Sequence, residues 1–183
     1  MRKLKRFIAA PLGFAGLIIL AYFANLIITP IEFNHWGIRP RSIEGLVGIP
    51  LVVFLHGNLN HLLSNIVPIF ILGLLLRSYG KHYFVNVTIA LTLLSGLLTW
   101  ALSPSDLLVG ASGLVFAYFS YLITKAIRNK TPLTILIALV VILTYGYLFF
   151  SLASAQQGVS WTGHVCGFAS GILLALYGPK RLR

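Results

Sequence analysis

The 183-residue chain is 58% hydrophobic and only 9% charged, with a mean hydropathy of +0.92, which excludes a soluble domain and describes a polytopic membrane protein. Its net charge of +11 does not make it a nucleic-acid binder, because the basic residues fall in short clusters between apolar segments. Cys166 is the only cysteine, so no intrachain disulfide is possible.

Crossing about 30 Å of hydrocarbon takes roughly 20 apolar residues, which leaves room for about six spans and little else. The opening "MRKLKRF" resembles a signal-peptide n-region. The apolar stretch behind it runs to Thr29, longer than the roughly 7–15 residues of a cleavable segment, and reads as a retained first span. Six apolar segments follow one another at 7–29, 61–77, 83–102, 111–128, 132–152 and 161–178. Backbone groups in lipid must be satisfied within the segment, so each is expected to be a helix and the class all-α. The long connection 30–60 holds an apolar piece, 46–55, that is too short to span. It is expected to lie in the interface or re-enter partway, with Trp36 near the headgroups. The chain is expected to form a single membrane domain over 1–183.

Orientation follows from the positive charges. Twelve of the 14 Lys and Arg lie at the N-terminus, between the second and third spans, between the fourth and fifth, and at the C-terminus; Arg39 and Arg41 lie on the other side. The positive-inside rule then puts both termini in the cytoplasm and the loop 30–60 outside. The three acids, Glu32, Glu44 and Asp106, all fall on the outer side. His61, Ser112 and His164 open the second, fourth and sixth spans and share one depth, just below the outer surface.

The shortage of acids eliminates several chemistries. Aspartyl proteolysis needs two carboxylates sharing a proton, and no span carries one. His56 and His61 are five apart, roughly 140° round a helix, with no carboxylate beside them, so no metal site and no cofactor are expected. A serine nucleophile remains, and it needs a base within hydrogen-bond reach. Ser112 and His164 are the candidates, as a dyad. Gly167 and Gly171 follow His164 at i+3 and i+7, within about 60° of the same helix face, and Gly113 and Ala117 give the fourth span a matching small face. His61 and Asn65 at i, i+4 share a face and present donors for a developing oxyanion; the Ser112 N–H, at a helix start, is a third. The plainer reading of Ser112, Gly113 and the His61–Asn65 pair is close helix packing.

"HGNLNHLLSN", "GASG" at 110–113 and "GHVCGFASG", in that order on the second, fourth and sixth spans, resemble the rhomboid intramembrane serine proteases, and "LLSG" at 93–96 is similar too. The resemblance implies the six-span rhomboid-like fold of a bacterial-type core in the cell membrane (the inner membrane of a bacterium). It also implies cleavage of other membrane proteins' transmembrane segments near their outer ends. It assigns Ser112 as nucleophile, His164 as base, and His61, Asn65 and the Ser112 amide as oxyanion hole. Gly110, Gly113, Gly167 and Gly171 become supporting residues, and His56 a structural histidine. Many relatives carry Tyr where this chain has Phe116, which keeps an aromatic platform under the catalytic His without the hydroxyl. Trp36 and Arg39 are separated where the family often has adjacent Trp-Arg. A Glu common near the inner end of the second span is absent from "LLLRSYG". The chain also looks like a minimal core, without the extra domain or seventh span of some relatives. The rival readings are a non-catalytic relative that binds or escorts membrane proteins, and a small transporter or channel. The latter fits poorly, with no inverted repeat or intramembrane acid in view. Phe149 and Phe150 are candidates to line a lateral entry beside the second span, or simply to face lipid.

Overall fold

Apolar segments that must pair their own backbone groups become helices, and a computed structural model describes residues 2–28, 32–104, 107–151 and 160–179 in those terms. Among the described residues there are eight α-helices and no strand: α1 Arg2–Ile27, α2 Gly48–Leu51, α3 Leu59–Arg77, α4 Lys81–Leu102, α5 Ser112–Asn129, α6 Pro132–Tyr145, α7 Tyr147–Ser151 and α8 Trp161–Tyr177. The protein is an all-α, multi-pass membrane protein. Three helices, Lys3–Ile27, Leu59–Arg77 and Lys81–Leu102, are long and apolar enough to cross a membrane on their own. Residues 29, 106, 152, 180, 181 and 183 of the sequence reading lie outside the described residues.

The boundaries depart from expectation for local reasons. α1 begins at Arg2 rather than 7, because Arg, Lys and Leu are good helix formers and the basic turn simply continues the apolar helix. α3 starts two residues early, at Leu59, where Asn58 caps it by accepting the His61 N–H at 2.8 Å. The expected fifth span, 132–152, is not one helix. A capping box between Thr131 and Thr134, with Pro132 at the first position, opens α6. α6 ends at Tyr145 with Gly146 as its C-cap: the Gly146 N–H still donates to the Ile142 carbonyl at 2.9 Å, and a Cβ there would sit 2.5 Å from that oxygen. Beyond it the bonding tightens, with the Phe149 N–H donating to the Gly146 carbonyl at 3.1 Å. α7 follows at once, over Tyr147–Ser151.

α5 is the axis of the bundle. Its run from Leu114 to Leu122 is buried throughout, as are Lys125 and Ala126. α8 packs along it, α3, α4 and α6 surround the pair, and α1 lies outside against α3. Because α5 meets protein on every side, it carries polar groups that a lipid-facing helix could not. Tyr118 meets Thr88 of α4 at 2.5 Å, and Tyr121 bonds Tyr83. Ser120 donates to the Phe168 carbonyl of α8 at 2.7 Å. Lys125, counted in the sequence with the loop charges, lies inside α5 over the Tyr79 and Tyr83 rings at 5.0 and 4.9 Å. Arg128 donates to the Ala175 and Leu176 carbonyls, satisfying the last turn of α8.

The connection 30–60 is more structured than an interfacial segment. Its apolar piece folds into short helical turns, Glu44–Leu46, α2 and Val52–Phe54. These bury Ile49 and Val53 and seat Ile49 against Gly96 of α4. Trp100 Nε1 donates to the Ser42 carbonyl at 2.8 Å, and Arg41 donates to the Ser103 carbonyl at 2.7 Å, tying the loop to the end of α4. An antiparallel bridge between Ile38 and Leu108 joins it to the strand-like approach to Ser112.

Candidate active site

Three helix starts converge where the sequence placed its polar residues, and two of them carry a side-chain cap. Asn58 caps α3, and Ser160 caps α8 through the Gly163 N–H at 3.2 Å. α5 has no side-chain cap. Among the described residues the Ser112 N–H donates to no acceptor, so one of the unpaired amides at the positive end of that helix is left for a ligand. Such an amide, beside the side chain of the same residue, suits an oxyanion.

Ser112 and His164 line one cleft of about 320 Å³ together with His61, Asn65, Pro68 and Phe116. The His164 ring stacks on Phe116, with centroids 4.3 Å apart and planes 24° from parallel. Among the described residues no hydrogen bond joins Ser112 to His164, in keeping with the long contacts common before substrate arrives. What brings them near is backbone contact between α5 and α8. A Cβ at Gly167 would lie 2.1 Å from the Gly113 carbonyl oxygen, and one at Gly171 would lie 2.3 Å from that of Ala117. Only hydrogen fits at either position, which gives the small-residue faces of the two helices a definite purpose.

Asn65 is buried, and its Nδ2 donates back to the His61 carbonyl at 2.6 Å. One of its two N–H groups is therefore spent on its own helix, and one remains. His61 packs its ring against Gly110, whose φ of +121° is open only to glycine; a Cβ there would stand 2.6 Å from His61 Nε2. His56 sits beneath, edge-on to His61 at 5.1 Å, and its Nε2 accepts the Ala111 N–H at 3.4 Å. Burial, and secondarily the neighbouring His61, lower its pKa to about 4. A neutral imidazole is what the acceptor role requires. His56 thus holds the turn that presents Ser112. No group of three metal-ligating side chains occurs among the described residues.

Several contributors carry no signal a reader of the sequence would isolate. Ser95 and Thr99 of α4, with Ser160 and Gly163, line a small cavity of about 50 Å³ that also touches His61 and Ser112. The Val52 carbonyl accepts the Gly110 N–H at 3.1 Å, so the loop 30–60 anchors the turn before Ser112. The side of the cleft facing α3 is formed by Tyr147 and Leu148 of α7 rather than by Phe149. Phe149 lies on the outside of α7, 58% exposed, with its ring against Phe168. The Phe150 side chain lies outside the described residues.

Comparison with known proteins gives this arrangement a context. The family model of the Rhomboid domain matches residues 45–181, which span α2 to α8. An uncharacterized protein of Mycobacterium tuberculosis is 31% identical over 98% of this chain and 80% of its own length. Rhomboid-related protein 1 of Caenorhabditis elegans is 32% identical over 66% of this chain and 36% of its own.

Proposed function

The chain belongs to the rhomboid family, and on that premise we propose that it is an intramembrane serine endopeptidase that cleaves transmembrane segments of other membrane proteins with a Ser112–His164 dyad. The observation that carries the proposal is the shared cleft. Two helices far apart in sequence contribute Ser112 and His164 to it, and an aromatic platform supports the histidine. A binding or escort protein has no need of a base next to a serine at a helix N-terminus.

In this mechanism Ser112 Oγ attacks the scissile carbonyl carbon while His164 accepts its proton. The oxyanion forms against the Ser112 N–H, the free N–H of Asn65 and the His61 ring. His164 then gives the proton to the departing amine, and a water deprotonated by His164 releases the acyl group. Among the described residues no acid stands by His164 as a third member, and Phe116 orients the imidazole by packing instead of by charge. The cavity beside Ser95 and Thr99 is large enough for a water and has hydroxyls to hold one.

Six spans formed by α1, α3, α4, α5, α6–α7 and α8 make the whole chain one membrane domain. Both termini face the cytoplasm and the cleft opens near the outer face of the cell membrane, a bacterial inner membrane; the basic asymmetry supports that orientation. Single-span or polytopic membrane proteins are the substrates.

The test is labelling by a serine-directed fluorophosphonate, together with cleavage of a purified single-span substrate in liposomes. Wild type should label and cleave; Ser112→Ala and His164→Ala should do neither while remaining folded. Cleavage by Ser112→Ala at the wild-type rate would end the protease reading.

A further inference from the structure

At the end of the bundle away from the cleft, α1, α3 and α4 leave a pocket of about 480 Å³ lined by Arg6, Ala9, Ala10, Arg77 and Lys81. Three cations in one pocket repel one another unless something negative joins them. The chain has only three carboxylate side chains. Glu32 and Glu44 lie in the connection beyond the far end of α1, and Asp106 follows the far end of α4. Among the described residues the one ion pair is His35 with Glu32, so Arg6, Arg77 and Lys81 have no carboxylate partner. Arg77 is also held in place. Its guanidinium lies 5.5 Å from the centroid of the Phe7 ring, and its Nε is buried with no hydrogen-bond acceptor. A fixed, dry donor of that kind costs stability unless a ligand oxygen reaches it.

We propose that Arg6, Arg77 and Lys81 form a binding site for the phosphate of an anionic phospholipid. A guanidinium with two neighbouring cations suits a phosphate oxyanion, which a free phosphate ion and a lipid headgroup share. The surroundings select the lipid. Ala9 and Ala10 form the apolar floor of the pocket, and the same helix continues into Leu12, Leu17 and Leu20, all exposed along its outer side. A headgroup among the cations would lay its acyl chains along that surface, whereas a free ion would leave it uncovered. Basic pockets between spans at a cytoplasmic face recognise lipid headgroups in this way.

The experiment is native mass spectrometry of the purified full-length protein, exchanged into detergent with phosphatidylglycerol, phosphatidylcholine or inorganic phosphate. The expected result is retention of phosphatidylglycerol well above phosphatidylcholine, with no adduct from inorganic phosphate. Each cation contributes about 1 kcal/mol, so Arg6→Gln and Lys81→Gln, both at exposed positions, should each reduce retention about fivefold. Arg77→Gln should reduce it further, and Lys130→Gln, a basic residue outside the pocket, should not. Equal retention of the two lipids, retention unchanged in all three variants, or binding of inorganic phosphate in place of lipid would overturn the proposal. Ser112 labelling by fluorophosphonate should persist in Arg6→Gln and Lys81→Gln, so this result is independent of the protease reading.

Discussion

Gly167→Ala probes the contact that sets the distance between nucleophile and base. The new Cβ would lie 2.1 Å from the Gly113 carbonyl oxygen, 2.8 Å from its carbon and 3.0 Å from its Cα. All three are backbone atoms of the residue after Ser112, and none can rotate away. Restoring a contact of about 3.5 Å requires α5 and α8 to part by roughly 1.4 Å. His164 moves with α8 and Ser112 with α5, so the gap opens between the reacting atoms. Displacements of that size cost about 10²-fold in rate, and overpacking a tight core costs about 1–3 kcal/mol of stability. The assay is cleavage of a purified single-span substrate in liposomes, with thermal unfolding of the same samples in detergent. Gly16→Ala is the control: nothing stands within 4 Å of its Cβ position, and replacing a mid-helix glycine by alanine should stabilise by roughly 0.5–1 kcal/mol. A Gly167→Ala protein with wild-type rate and wild-type Tm would refute the argument that glycine contact positions the dyad.

Asn65→Ala should leave slow turnover, about 10²–10³-fold below wild type in kcat with KM little changed, because it removes one oxyanion donor and spares the others; steady-state kinetics on the same substrate decides, and full activity excludes the role. Phe116→Tyr should be tolerated and Phe116→Ala should lower kcat with little loss of Tm, since the stacked ring positions His164; an Ala variant as fast as wild type would show the platform to be idle. His56 has its pKa lowered from 6.5 to about 4 by burial, so the unfolded chain takes up a proton on acidification before the folded one does. Its contribution to stability is complete above pH 6.5 and falls as pH drops toward 4, by up to about 3 kcal/mol. Tm measured across that range should fall more steeply with decreasing pH for wild type than for His56→Gln, and parallel profiles would refute the assignment.

The helices were legible because lipid imposes one solution on an apolar segment, and hydropathy alone marks where it applies. His61, Ser112 and His164, which line one cleft, each stand near the start of an apolar helix, and that position is what drew them together in the sequence. The small faces at Gly113 and Gly167 added the direction of approach. The turn carrying Gly110 was different. Its support comes from the Val52 carbonyl and from His56, a loop backbone and a buried ring that no periodicity reveals. Ser95, Thr99 and Ser160 read as ordinary polar residues because their meaning depends on which helix lies opposite. The division of the apolar segment 132–152 into α6 and α7 escaped notice because Gly146 resembles any tolerated glycine in an apolar run, and only the Ile142 carbonyl, 2.5 Å from where a Cβ would stand, reserves the position for glycine.

The burial of α5 bears on how the protein is made. A helix leaving the translocon is sorted by its own hydrophobicity, and α5, with Tyr118, Ser120, Tyr121 and Lys125, is not among the helices apolar enough to cross a membrane alone. Lysine near a helix centre costs about 2.5–3.5 kcal/mol on insertion scales, less near an end. α3, α4 and the turn between them emerge first and already carry Tyr79, Tyr83 and Thr88, the groups that receive Lys125, Tyr121 and Tyr118. The helix that presents Ser112 is therefore expected to enter the bilayer with help from neighbours synthesised before it, which would make chain order part of assembling the site.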